Sequence, residues 1–403
     1  MSFVSAIDLL QDFLATITSE IISAISDPFV IAPVALLFVH AFLIVGYLAY
    51  MKKVSKRPWN LNTRYDYEPV TTIIVPAYRE SKVIVKKLKN ILELEYPPEK
   101  LQVIVIGDPE TIEICREFIK ANNINLYLIE EKERMGKSQA LNYALKHAKG
   151  EVIATSDADA IWDRKALKNA LYYLSDPSVA AVSGHEIICN HTRNIHTYAE
   201  QMYRDIYYIL RLGESKMYST MIFQGELAAY KRDAVKYFDS RPGYSDDTGT
   251  VIRLIREGYR CLYVPEAVFW DNAPPTVKDK VKLKSRRGQH LFSALTEAMK
   301  YKIKRALPLP STIVLANFYM HILSPIIQLV ALLFLLIALL IHYTVAAFVM
   351  FSIMLLIFIR SKKVRAIIEL YSTSSIALVI ALIKNLLGMK KSSWDKITSM
   401  RVL

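Results

Sequence analysis

From Val70 to about Pro275 short apolar runs alternate with amphipathic stretches: TTIIVPA, KVIVKKLKNILELE, LQVIVIGD, TIEICREFIKANN and INLYLIEE follow one another. This βαβα rhythm predicts a largely parallel sheet covered by helices on both faces. The runs end in Pro76, Asp108 and Asp157, which puts special residues at the carboxyl ends of strands, where open α/β sheets bind ligands. Gly136-Lys137 opens a helix, SQALNYALKHAKG, in which Ala140, Leu141, Ala144 and Leu145 recur at helical spacing until Gly150 stops it.

The flanks follow another pattern. Pro28 to Tyr50 carries no formal charge, and as a helix it reaches about 35 Å, enough to cross a bilayer. The preceding segment holds Asp8, Asp12 and Glu20 and shows no small-residue cleavage pattern, so a retained span is expected rather than a signal peptide. Lys52, Lys53, Lys56 and Arg57 follow directly and mark the cytoplasmic flank. Beyond Pro274-Pro275 a basic amphipathic stretch is expected to lie along the membrane interface. Ile322 to Ile359 is long enough for two spans turning near His342-Tyr343-Thr344, and Arg360, Lys362, Lys363 and Arg365 return the chain inward. Ala366 to Leu387 is apolar but holds Glu369 and a Ser/Thr cluster; spanning and re-entry both stay open for it, as does an extra crossing around Leu307 to Tyr319. The expected organisation is an N-terminal amphipathic segment (1–27), a transmembrane helix (28–51), a cytoplasmic α/β domain (65–275), amphipathic interface helices (276–310), C-terminal transmembrane helices (311–389) and a cytoplasmic tail (390–403).

Composition sharpens this. Of the 403 residues 53% are hydrophobic, an excess concentrated in the flanks. The net charge of +13 fits contact with anionic membrane lipids and phosphorylated ligands rather than nucleic acid. Cys115, Cys189 and Cys261 are far apart without ligand spacing, as expected of reduced thiols in a cytoplasmic domain.

The candidate chemistry starts at Ser156-Asp157-Ala158-Asp159-Ala160, where two acidic side chains follow the run Val152-Ile153-Ala154-Thr155. Such hard oxygen ligands hold magnesium or manganese, which bridges the oxygens of a nucleotide diphosphate; alone, the pair reads better as a solvated loop end, and its context decides. The order of motifs resembles the family 2 glycosyltransferases, membrane-embedded inverting enzymes of GT-A fold, over roughly Val70 to His290. In TTIIVPAYRES the resemblance implies that Pro76, Ala77, Tyr78 and Glu80 surround the nucleotide base and ribose. Asp108 stands where the family has an acidic pair contacting the base, with a glycine before it here. RMGKSQALNYALKHAKGE, with Lys137, matches the glycine-lysine segment, and SDADA its Asp-x-Asp, so that Asp157 and Asp159 become metal ligands, Asp159 the principal one and Asp157 also beside the ribose.

PGYSDDTGTVIRLIREGYR resembles the segment supplying the general base. An acceptor hydroxyl is a poor nucleophile at neutral pH and needs a carboxylate to take its proton. Asp247 is the candidate and Asp246 its neighbour, although Ser-Asp-Asp also reads as a helix cap. In FQGELAAYKRDAV, Gln224, Gly225 and Glu226 would line the acceptor site, while Tyr230-Lys231-Arg232 reads as well as a solvated helix start. Lys284 to His290 falls where processive members carry Gln-x-x-Arg-Trp. Arg287 can still neutralise a departing diphosphate, but Lys284 replaces the glutamine and Gly288 the tryptophan on which an acceptor sugar stacks. Arg286 reads equally as a site residue and as part of a lipid-facing patch.

The resulting expectation is an α/β GT-A domain with a mainly parallel sheet plus an α-helical transmembrane region, in an integral plasma-membrane protein with its catalytic domain cytoplasmic. With Mg2+ or Mn2+, it would move a hexosyl or N-acetylhexosaminyl group from a UDP- or GDP-sugar to a lipid-linked or glycan acceptor. A processive polysaccharide synthase extruding its polymer is the nearest alternative. A transporter or scaffold with a nucleotide-binding domain comes from another class, and a dinucleotide-dependent reductase is disfavoured because no Gly-x-Gly-x-x-Gly follows the first strand.

Overall fold

The computed structural model describes residues 3–122 and 126–389. Two helices open it, α1 (Phe3–Ser26) and α2 (Pro28–Val54). Asp27 caps α2 by accepting the Phe29 N–H at 2.8 Å. The α/β part then runs β1 (Thr71–Pro76), α3 (Ile84–Leu92), β2 (Leu101–Gly107), α4 (Pro109–Asn122), β3 (Tyr127–Glu130), α5 (Lys137–Leu145), β4 (Val152–Thr155), β5 (Ile161–Trp162), α6 (Ala166–Leu174), β6 (Val179–Ile188), α7 (Ile195–Met217), β7 (Ala228–Lys231), α8 (Thr248–Arg256) and β8 (Arg260–Asp271).

The eight strands form one sheet in the order β3-β2-β1-β4-β7-β6-β8-β5. β1 pairs in parallel with β2 and β4, β2 with β3, and β6 with β8. β4–β7, β6–β7 and β5–β8 are antiparallel. Parallel pairings are thus the majority in a mixed sheet. β1 is apolar at Ile73-Ile74-Val75 because both of its faces are covered: Ile73 and Val75 belong to the buried cluster that holds Leu88, Ile112 and Leu171, and Ile74 to the one that holds Leu141, Ile252 and Leu295. Strand order reverses direction of travel at β1 and β4, where β1 leads outward to β2 and β3 while β4 starts the other half, which opens a crevice above their carboxyl ends.

The described residues that follow are mostly helical: α9 (Val277–Ile303), α10 (Ser311–Phe318), a π-helical turn (Tyr319–Leu323), α11 (Ser324–His342), α12 (Thr344–Arg360) and α13 (Lys362–Leu386). Among the described residues three stretches are long and apolar enough to cross a membrane: Pro28–Val54, Ser311–His342 and Lys362–Leu386. The stretch 276–310 holds one long helix rather than several, and α10 runs on through the π turn into α11. The turn at Tyr343 is where the sequence places it; there the Tyr343 hydroxyl donates to Asp27 Oδ2 at 2.9 Å and the Ala346 N–H to Glu20 Oε2 at 2.8 Å, so acidic side chains of the first segment meet the α11–α12 corner.

α13 lies lengthwise on α9, running in the same direction. Lys280 Nζ is 2.8 Å from Glu369 Oε2, Lys284 Nζ donates to Ser374 Oγ at 3.1 Å, and Asn385 Nδ2 donates to the Gln289 carbonyl at 3.2 Å. These clips account for the Glu369 and Ser/Thr cluster in an otherwise apolar segment. Between them, a Cβ on Gly288 would lie 3.0 Å from Ala381 Cβ and 3.2 Å from Leu378 Cδ2, so the helices close on each other because residue 288 has no side chain. The tail 390–403, with its KSSWDKIT sequence, lies outside the described residues.

Candidate active site

Three segments converge on one cleft of about 440 Å³. The first is the turn after β4, which carries Asp157 and Asp159 into the cleft while Ala158 and Ala160 are buried. Lys87 of α3 passes beneath it: fully buried, it donates to the Ala160 carbonyl at 2.8 Å and lies 4.5 Å from the Trp162 ring centre. Burial pulls the Lys87 pKa down to about 7, against the upward pull of Asp157 and Asp159. Trp162 Nε1 donates to the Glu226 carbonyl at 3.0 Å and so ties the turn to the second segment.

That second segment is Gln224-Gly225-Glu226, ahead of β7. A Cβ on Gly225 would stand 3.0 Å from Lys137 Nζ, 3.4 Å from Asp247 Oδ2 and 3.5 Å from Asp246 Oδ2; glycine lets this backbone approach the charged groups. The Gln224 amide donates to Glu186 of β6, which pairs with Arg204 of α7 at 2.9 Å. Glu226 accepts from Arg287 of α9 at 2.6 Å. The third segment, Ser245-Asp246-Asp247, starts α8. The Asp247 carboxylate accepts the Thr248 N–H and also lines the cleft, so the capping and cleft-facing readings are both realised.

Lys137 joins the first and third segments. Gly136, at φ +88°, turns the chain into α5, and Lys137 then sits 2.6 Å from Asp157 Oδ1 and 3.7 Å from Asp246 Oδ2. Burial alone would lower its pKa, but Asp157, Asp246 and Glu226 raise it. The carboxylates respond to the crowding. Burial, with Asp247 beside it, raises Asp246 despite Lys137; burial also raises Asp247. Asp271, at the end of β8, is held well above the usual carboxylate range by burial and by Asp159. A cation at Asp157–Asp159 would relieve that acidic excess. Among the described residues no group of three or more His, Cys, Asp or Glu side chains forms a complete metal cage, and the pair fits a hard ion that takes its other ligands from water and substrate phosphates.

The sequence-derived candidates Pro76, Tyr78, Glu80, Lys137, Asp157, Asp159, Gln224, Gly225, Glu226, Asp246, Asp247 and Arg287 all line this one cleft. Ala77 and Asp108 are buried behind its wall. Asp108 accepts the Arg79 N–H and the Thr111 hydroxyl; those bonds overcome burial and lower its pKa, and they hold Arg79 at φ +57°. No sequence motif marks Lys87, Glu131, Arg134, Glu186, Arg204 or His321. Glu186 left a trace, a charge inside an apolar strand, as did His321 in an apolar run. Lys87 left none, because its helix carries lysines on several sides. Ser374 and Leu378 of α13 complete the wall on the membrane-helix side.

A mixed sheet with an acidic pair at the β4 tip and a second at the α8 start defines a GT-A nucleotide-sugar transferase. The profile described as "Glycosyltransferase like family 2" matches residues 69–289, and the chain belongs to that family. A probable glycosyltransferase, YdaM, of Bacillus subtilis (strain 168) is 27% identical over 296 residues, 67% of each chain. The poly-beta-1,6-N-acetyl-D-glucosamine synthase of Staphylococcus epidermidis is 26% identical over 253 residues, and the match spans only 60% of each chain. The solved mannosyltransferase PcManGT from Pyrobaculum calidifontis, in complex with GDP-Man and Mn2+, is 32% identical with a TM-score of 0.75, covering 88% of this chain and 98% of its own. The protein is therefore a glycosyltransferase with a nucleotide-sugar donor, and its described residues include three helical stretches long and apolar enough to cross a membrane.

Proposed function

We propose that the chain is an inverting, metal-dependent transferase that takes a hexose from a guanosine diphosphate sugar and adds it to a lipid-linked or glycan acceptor at the cytoplasmic membrane face. The observation that carries this reading is Lys137 reaching both acidic pairs, Asp157 at 2.6 Å and Asp246 at 3.7 Å, which sets the donor end and the base end of one reaction on either side of a single ammonium. Similarity to a mannosyltransferase solved with GDP-Man and Mn2+ over nearly that protein's whole length supports the donor and the metal. Asp157 and Asp159 would hold Mg2+ or Mn2+, which supplies positive charge to the leaving diphosphate. Asp247 takes the proton of the attacking hydroxyl, and burial, by raising its pKa, makes it a stronger base than a surface aspartate. Pro76, Tyr78 and Glu80 seat the nucleoside, while Gln224, Gly225, Glu226 and Asp246 flank the acceptor. Arg287, now paired with Glu226, lies close enough to that site to exchange partner for a phosphate. The Lys52–Arg57 cluster at the inner end of α2 supports the cytoplasmic orientation.

The similarity to polysaccharide synthases favours a second reading, processive extension. Against it stand Gly288 in place of a stacking tryptophan and α13 packed over that position. The test is to incubate the purified full chain with labelled nucleoside diphosphate sugars, divalent metal and membrane lipid extract. Release of GDP with one sugar added supports the proposal, a ladder of products supports the synthase, and no release of nucleotide from any donor sinks both.

A further inference from the structure

The nucleotide end of the cleft is built on a row of strand tips. β1 ends at Pro76, β2 at Gly107 and β3 at Glu130, and β4 lies on the far side of β1. Neighbouring strands are about 4.8 Å apart, so the tip of β3 stands about 14 Å from the tip of β4. A nucleoside diphosphate with its phosphates at Asp157 and Asp159 and its length laid across these strand tips would bring its base over β3. The first residue past β3 is Glu131. It is 4% exposed and lines the cleft, its N–H donates to the Gly107 carbonyl at 2.7 Å, and its Oε1 accepts the Met135 N–H at 3.3 Å. The loop is thereby closed on itself with the carboxylate fixed. Beside it the Arg134 guanidinium lies 5.2 Å from the Tyr78 ring centre, giving the base a flat neighbour.

A fixed, desolvated carboxylate selects among bases. Guanine alone of the common bases presents two adjacent donors, N1–H and N2–H2, to both oxygens of a carboxylate, a bidentate charge-assisted pair. Uracil offers one N3–H between two carbonyl oxygens that the carboxylate repels. Adenine and cytosine each set an amino group beside a ring nitrogen that accepts. Of the other acidic residues at this end, Asp108 already holds Arg79 and Thr111, Glu130 and Glu133 are exposed, and Glu80 belongs to the β1 end of the row, nearer the ribose. Resting on the donor reading above, we propose that Glu131 is the residue that specifies guanine, by accepting N1–H and N2–H2 of the donor's base. Burial, which raises the Glu131 pKa, is the cost that those two donors offset on binding.

The experiment is calorimetric titration of the full chain in detergent, with Mn2+, using GDP, IDP and UDP. IDP differs from GDP only in lacking the N2 amino group. Wild type is expected to bind GDP at least tenfold more tightly than IDP, because the missing amino group removes one of the two charge-assisted bonds to the buried carboxylate, and UDP more weakly still. Glu131→Gln is expected to bring GDP and IDP within about threefold of each other while keeping its binding of Mn2+ and its melting temperature. Equal affinity of wild type for GDP and IDP overturns the assignment without need of a variant, as does a Glu131→Gln protein that keeps the wild-type ratio. Preference for UDP overturns Glu131 as a guanine reader and leaves the transferase intact, whereas failure to bind any nucleoside diphosphate overturns the donor reading and Glu131 with it.

Discussion

Gly213 of α7 is pressed against Met51 near the C-terminal end of α2: a Cβ at 213 would lie 2.7 Å from the Met51 carbonyl oxygen. Next to it the buried Glu214 carboxylate gathers the Tyr47 hydroxyl at 3.1 Å, Arg211 at 2.9 Å, the Thr220 hydroxyl at 2.8 Å and the Asn317 amide at 2.7 Å. The first long apolar helix, the helix under the cleft and the start of the second apolar stretch thus share one carboxylate. Asn317 continues the connection, its carbonyl 2.9 Å from His321 Nδ1, and His321 lines the cleft.

Gly213→Ala is expected to force α2 and α7 apart and to cost about 1–3 kcal/mol, as overpacking of a closed contact does. Thermal unfolding in detergent measures it. An unchanged melting temperature would mean that the α2–α7 contact at 213 relaxes around a methyl group without loss.

Asp247→Asn is expected to abolish transfer while GDP binding stays within about twofold of wild type, since a general base touches the acceptor proton and not the nucleotide. The pH profile carries the sign. Burial raises the Asp247 pKa, and the reaction needs the ionised form, so kcat/KM of wild type falls as pH drops through that raised value and levels off above it. Retained turnover in the variant removes Asp247 from the role.

Lys87→Met is expected to weaken metal-supported donor binding. The Ala160 carbonyl loses its buried donor, worth about 1–3 kcal/mol when left unsatisfied, and the turn bearing Asp157 and Asp159 loses its anchor. A several-fold higher Mn2+ requirement for GDP binding is the readout. Lys87→Arg, which keeps a donor but adds bulk, serves as the comparison; unchanged Mn2+ titrations for Lys87→Met would make the lysine a packing residue only.

Gly288→Trp is expected to separate α13 from α9, because even a Cβ meets Ala381 and Leu378. Limited proteolysis within α13 should accelerate and transfer should fall. Longer products instead of lower activity would show that the tryptophan builds an acceptor platform unaided.

What was legible in the sequence follows from what is local. Strands covered on both faces, such as β1 and β2, must be apolar throughout, and turns that end at Asp157 or start at Asp247 carry their chemistry in consecutive residues. The mixed character of the sheet was not legible, since β7 enters antiparallel to β4 by a long-range pairing that no periodicity records. Nor was Lys87, whose burial depends on Trp162 lying over it. Asp108 has a motif position in the sequence, yet its side chain is engaged in shaping the Arg79 turn behind the wall. The lie of α13 was hidden for a different reason: its composition alone satisfies a span, and the residues that settle its path, Lys280, Lys284 and Gln289, sit on a distant helix.

The contact at Gly288 also constrains how such a chain changes over generations. A tryptophan there and an α13 seated on α9 exclude each other, and so do a bulky residue at 381 and this helix spacing. Passage between an open, aromatic-floored cleft and a helix-covered one therefore cannot proceed by one substitution at a time at 288 without an intermediate that holds neither arrangement. Positions 288, 378 and 381 should vary together across relatives, with glycine at 288 accompanying a small residue at 381.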